Sequence, residues 1–199
     1  MALTKQMADE IMKKYQGEAR GVAFLTDAEY VRKRWGAEGL AKVKEALCVL
    51  GYPIEYEKIK ALAWLPLGQR VLSMSVIVDT FNMSRAEVEE MGYTAPKLSF
   101  LMKWVVKYFA SVKETIEQAP LVWKKHYTSG ELETMNQEGD NYALVKIKGL
   151  VLSDKWINYL QGFLRRVTEY STGKPVFCEL ISSTESEGAL YEFKLWWDK

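Results

Sequence analysis

Acid–base, nucleophilic and metal chemistry at neutral pH rest on a short list of side chains, and this chain spends few of them in useful patterns. His126 is the only histidine among 199 residues. Alone it could act as a general base or a haem ligand. No cysteine lies near it, however, and its nearest acids, Glu131 and Glu133, sit on a polar segment, so a surface or helix-end histidine is expected. Glu131 and Glu133 share one face of a strand, where paired carboxylates do acid–base work only if one is desolvated. Here they read as solvated charge, offset by Lys146 and Lys148 on the next strand. Thr172-Gly173-Lys174 resembles the end of a phosphate loop, yet Thr168 stands where the first glycine belongs and Pro175 follows the lysine, which makes it a turn. No serine lies in a Gly-x-Ser-x-Gly elbow. Cys48 and Cys178 fit no metal-ligand spacing and are too few for a disulfide framework. Their apolar neighbours predict buried free thiols in a reducing cytosol. No catalytic residue and no metal site is therefore assigned.

Bulk properties narrow the classes further. Twenty-seven basic residues against 26 acidic ones leave a net charge of +1, so no global field draws the chain to nucleic acid or to an anionic membrane. The small basic clusters Arg32-Lys33-Arg34 and Arg165-Arg166 read as solvated helix faces. No apolar run approaches the length of a membrane span, and the first residues lack the apolar core of a signal peptide. A cytoplasmic location is expected.

The elements that must position any site follow from periodicity. Leu3, Met7, Ile11 and Tyr15 mark a helix closed by Gly17. Asp27 is placed as the cap of a short helix running to Trp35 and ended by Gly36, with another helix from Glu38 to Leu50. Pro66 opens a helix with the stripe Leu67, Val71, Met74, Val78 and Phe81. Ser84-Arg85-Ala86-Glu87 is a capping box whose helix is expected to stop at Gly92. Thr94 to Ala110 predicts a central helix, apolar on most sides. Ser111 caps a turn to Gln118, and Pro120 begins a helix to Tyr127. From Gly130 the period changes from 3.6 to 2. A hairpin (residues 130–149), a helix opened by Ser153 with the stripe Trp156, Leu160, Phe163, Leu164 and Val167, and strands Val176–Ser182 and Ala189–Trp197 complete a ββαββ unit. The expected fold is α+β: an N-terminal helical lobe (1–129) packed on a four-stranded antiparallel sheet with its helix (130–199), together one domain. Gly162 inside the last helix points to a close approach of backbone or ligand.

Eight Met, seven Trp, eleven Tyr and seven Phe are concentrated on stripes that converge between helices and sheet. Met74, Met102, Trp104, Tyr108, Trp123, Trp156 and Phe163 are the candidate lining of an apolar ligand pocket, against the plainer alternative of a filled core.

Four stretches also carry a resemblance: Ala119-Pro120-Leu121-Val122-Trp123, Tyr127-Thr128-Ser129-Gly130-Glu131-Leu132-Glu133, Leu160-Gln161-Gly162-Phe163, and Thr172-Gly173-Lys174-Pro175-Val176-Phe177-Cys178-Glu179. Together they resemble the ligand-binding superfamily of nitric oxide signalling and Golgi transport, which groups haem nitric-oxide-binding domains, vinyl-reductase-type domains and subunits of a Golgi tethering complex. The similarity is strongest over residues 95–199 and nearest a haem-free bacterial branch. In haem-binding members a Tyr-x-Ser-x-Arg motif holds the propionates and an upstream helix supplies a histidine. Here Glu131 replaces the arginine after Tyr127-x-Ser129, and no histidine lies between Met83 and Lys125. The resemblance thus implies a sensor without a cofactor, whose small apolar ligand shifts the helices around Trp104 and Trp156 and so alters the surface shown to a signalling protein. The alternative is an assembly protein with a filled core, homodimerising through Trp64-Leu65-Pro66-Leu67 or Trp196-Trp197.

Overall fold

A computed structural model describes residues 3–98, 111–136, 140–184 and 188–198. The chain is α+β, with N-terminal helices packed on a C-terminal four-stranded antiparallel sheet. Helix α1 (Lys5–Lys14) leads to strand β1 (Glu18–Arg20), helix α2 (Gly21–Val49), strand β2 (Trp64–Pro66), and helices α3 (Leu67–Thr80), α4 (Arg85–Leu98) and α5 (Val112–His126). Strands β3 (Glu131–Met135) and β4 (Tyr142–Lys148), helix α6 (Asp154–Thr172), and strands β5 (Val176–Thr184) and β6 (Leu190–Trp197) follow. The sheet order is β3-β4-β6-β5, every neighbour antiparallel.

The sheet forms because alternate residues of β4 and β6 are apolar. Ala143, Val145 and Ile147 point inward with Tyr191, Phe193, Leu195 and Trp197, and all are buried. Their outward neighbours include Lys146 and Glu192, paired at 3.5 Å. Glu133 meets Lys148 diagonally at 2.6 Å, which confirms the expected offset between the first two strands. Helix α6 begins where the Ser153 side chain accepts a hydrogen bond from the Trp156 N–H and ends at Gly173, whose φ of 65° suits a left-handed cap.

Several expected boundaries move. Asp27 is no cap: α2 starts at Gly21 and encloses Asp27 as a buried residue. The break at Gly36 is real, with φ 72° and ψ −173°, and two helical stretches meet there. The capping box at Ser84 forms, Glu87 accepting from the Ser84 N–H at 2.8 Å. Yet α4 runs through Gly92 to Leu98 instead of stopping there. Likewise α5 continues from its Ser111 cap through Pro120, and the two-stranded sheet of β1 and β2 was not foreseen. Cys48 is exposed, not buried. Cys178 is half-buried, and that burial pushes its thiol up to about 12. The central helix expected from Thr94 to Ala110 lies outside the described residues beyond Leu98.

Gly92 persists in a helix interior for a steric reason. A Cβ on Gly92 would overlap the Tyr159 carbonyl of α6, and a Cβ on Gly162 would overlap the Glu89 carbonyl of α4. The two glycines therefore let the helix backbones touch, so the close approach expected at Gly162 is to backbone. Around this crossing Arg165 pairs with Glu89 at 2.7 Å, and the Tyr93 hydroxyl donates to Glu169 at 2.5 Å. We expect Gly162→Ala to cost about 1–3 kcal/mol through overpacking. Thermal unfolding would show it as a clearly lower Tm, and an unchanged Tm would contradict the close crossing.

Candidate functional site

Where α2, α3, α4, α5 and α6 converge, the structure holds a cavity of about 120 Å³. Its apolar wall comes from Val22 and Ala23 of α2, Ala95 of α4, Ala119, Val122 and Trp123 of α5, Leu132 of β3, and Leu160, Phe163, Leu164 and Val167 of α6. Polar groups reach it from Thr26, Arg70, Thr115, His126, Tyr127 and Tyr159. Small residues on α2, α4 and α5 leave the space, while the broad α6 side chains close one flank.

Of the seven candidate residues, Trp123 and Phe163 stand on this wall. Trp123 is held by its indole N–H, shared between the Ser129 and Gly130 carbonyls at 3.3 and 3.2 Å. Met74 and Trp156 lie instead in the packed core, both at 0% exposure. Trp156 sits between Tyr15 and Tyr127, with ring centroids 6.2 and 6.0 Å away. Met102, Trp104 and Tyr108 are outside the described residues.

Sequence reasoning missed the charged element of the site. Arg70 and Asp27 are each 1% exposed, with Arg70 Nη2 and Asp27 Oδ2 3.3 Å apart. Arg70 also lies over the rings of Tyr159 and Trp156, at 5.2 and 5.9 Å. Burial pushes the Asp27 carboxyl up, with Arg70 opposing. Burial also opposes the Arg70 charge, but Asp27, Tyr127 and Tyr159 hold the guanidinium protonated. The hydroxyls of Tyr127 and Tyr159 are kept neutral chiefly by burial. A signal existed: Arg70 and Asp79 are the only charges between Ala61 and Asn82, and a cation in so apolar a run needs a buried partner.

His126 is the last residue of α5, and it lines the cavity instead of facing only solvent. Its Nδ1 lies 2.8 Å from the Val122 carbonyl, which fixes the ring. The segment after it is bound to the chain's N-terminal part. Ser129 Oγ donates to the Gln16 carbonyl at 2.8 Å, and Thr128 Oγ1 accepts from the Glu18 N–H at 2.8 Å. Among the described residues, no group of acids, cysteines or histidines could hold a metal ion.

Solved structures share this architecture. An H-NOX mutant from T. Tengcongensis superposes with a TM-score of 0.65, covering 88% of this chain and 96% of its own at 14% identity. A Cs H-NOX mutant carrying 4-cyano-L-phenylalanine gives 0.67 over 90% and 97%, also at 14% identity. An oxygen-binding H-NOX domain related to soluble guanylate cyclases gives 0.64 over 90% and 95%, at 12% identity. The fold is H-NOX-like. No protein-family model matches the sequence, and no curated protein sequence matches it either.

Within this H-NOX-like fold, burial lowers the proton affinity of His126 below the ordinary value of 6.5, helped by Arg20, Arg70 and Lys125 and opposed by the Val122 carbonyl. The unfolded chain therefore takes the proton first as pH falls. The stability His126 contributes is full above pH 6.5 and is lost below it, down through its folded value. Urea unfolding at pH 8 and at pH 5.5 would show a smaller loss in His126→Gln than in the wild type. Equal losses would contradict a buried, neutral imidazole.

Proposed function

We propose that this chain is a non-enzymatic, haem-free small-molecule sensor whose ligand enters the cavity between the N-terminal helices and α6. The observation that carries the reading is the cavity itself: apolar walls with a few convergent polar groups, set at the meeting point of five helices, are what small-molecule sites use. The H-NOX-like fold supports a sensory role, since one solved neighbour is an oxygen-binding domain. Residues 1–199 act as one domain in this reading, supported by a core that draws Ala8 and Trp197 into the same cluster.

The residues do not suit haem held in the manner of the haem-binding members that the sequence resembles. The cavity of about 120 Å³ is well below the roughly 300–1,000 Å³ of sites for drug-sized ligands, and a macrocycle with its substituents is larger than most of those. Ser129 is spent on the Gln16 carbonyl. Glu131, exposed on β3, brings the wrong charge for a propionate. The lone imidazole has Nδ1 tied to its own helix.

Occupation would act through α6, because Phe163 and Leu164 on the cavity side and Tyr93, Glu89 and Gly92 on the α4 side belong to one rigid crossing. A guest that displaces α6 must therefore shift α4 as well.

One observation favours assembly as a second reading. The Trp196 ring stacks on exposed Phe177 at 5.5 Å, and Tyr142 lies beside Trp196 in register. This leaves an aromatic row on the open face of the sheet, where a second copy could dock.

Equilibrium binding to a panel of small apolar molecules, followed by tryptophan fluorescence, tests the sensor. At least one member is expected to bind, and Phe163→Trp, which fills the cavity, should weaken that binding more than tenfold. A panel without a binder, together with a dimer in sedimentation at high micromolar concentration, would move the assignment to assembly.

A further inference from the structure

The sensor reading leaves the chemical class of the ligand open, and Arg70 narrows it. Arg70 is the only charged residue among the described wall residues. Its Nη2 faces Asp27, but its Nε and Nη1 find no acceptor among the described residues, although the side chain is 1% exposed. A buried donor left unmatched is costly, and a charged one more so. Asp27 is not among the described wall residues. Neither of its carboxyl oxygens makes a well-formed hydrogen bond. Asp27 approaches the guanidinium through Nη2 alone, which leaves Nε and Nη1 for a second acceptor.

Size gives the second constraint. An apolar cavity of about 150 Å³ accepts benzene, and this one measures about 120 Å³. The apolar part of the guest is therefore no larger than one small ring or a short branched chain. The acceptor that best matches a guanidinium is a carboxylate, whose charge-assisted hydrogen bonds are roughly twice as strong as neutral ones. No wall residue among those described carries an opposing carboxylate. Phe163, Leu164 and Val167 provide the apolar surface for the rest of the guest.

We propose that the cavity binds a small apolar monocarboxylate of benzoate's size or smaller, its carboxylate on Arg70 and its ring or chain against Phe163, Leu164 and Val167. This rests on the sensor reading and names its ligand class. Ligand specificity then lies in α3, whose guanidinium selects for charge, while α6 sets shape.

The test uses the full chain and three probes of one shape: benzoate, benzamide and toluene, titrated by calorimetry or by amide chemical shifts. Benzoate is expected to bind at least tenfold more tightly than either neutral probe. Removing Arg70 alone would strand the Asp27 charge and risk unfolding, so the variant is the double substitution Asp27→Asn with Arg70→Met. It should lose the preference for benzoate and still bind toluene. Toluene binding as tightly as benzoate to the wild type would overturn the carboxylate assignment and leave the sensor reading standing. A preference that survives in the double variant would do the same. No binding of any probe would overturn both.

Discussion

A guanidinium and a carboxylate removed from water, facing each other through a single close approach between Arg70 and Asp27, are the constraint on which the rest of the structure depends. Taking each charge out of water costs several kcal/mol after relaxation, and mutual attraction repays this only with good geometry and further hydrogen bonds. Here the geometry is partial: the pair lies at 3.3 Å, and several of its donors and acceptors are unmatched. A fold built only for stability gains nothing from such a pair, since apolar residues of similar volume often serve as well. Its presence makes sense if the charge has work to do at the cavity wall. The pair also joins α2 to α3, and both helices reach the wall, through Thr26 and Arg70.

The second constraint is steric. Gly92 and Gly162 let α4 and α6 approach until each backbone carbonyl occupies the space of the other's missing Cβ. Arg165, Glu89, Tyr93 and Glu169 then fasten the crossing at its edge. Because α6 is held so closely on α4, its stripe of Phe163, Leu164 and Val167 faces α5 across a gap instead of filling it. Ala95, Ala119 and Ala23 on the opposite sides are too small to close that gap. The cavity is thus a consequence of where glycine and alanine were placed, and Trp123, pinned by two carbonyls, cannot rotate to fill it.

The sheet half of the fold was legible in the sequence, because the period-2 alternation in β4 and β6 and the amphipathic stripe of α6 each point to one buried face. Caps read from Ser84, Ser111 and Ser153 were legible too, since their hydrogen bonds are local. What depended on tertiary contact was not. Gly92 looks like a helix stop until α6 is placed against it, and Pro120 looks like a helix start until Ser111 is seen to cap the same helix. Asp27 has the composition of a cap, but its partner lies 43 positions away in Arg70, beyond the reach of any periodicity. Strands β1 and β2 are three residues each, too short to show alternation. Of the candidate pocket residues, Trp123 and Phe163 line the cavity. Met74 and Trp156 also belong to apolar stripes but point into filled core, a difference that only helix rotation decides.

The most direct test of the cavity is xenon, which enters dry apolar spaces without needing a hydrogen bond. Crystals of the protein pressurised with xenon should show anomalous density between α5 and α6, against Trp123, Phe163 and Leu164. Xenon density at other positions with none there would contradict the account, because a site closed to a single apolar atom cannot admit a ligand.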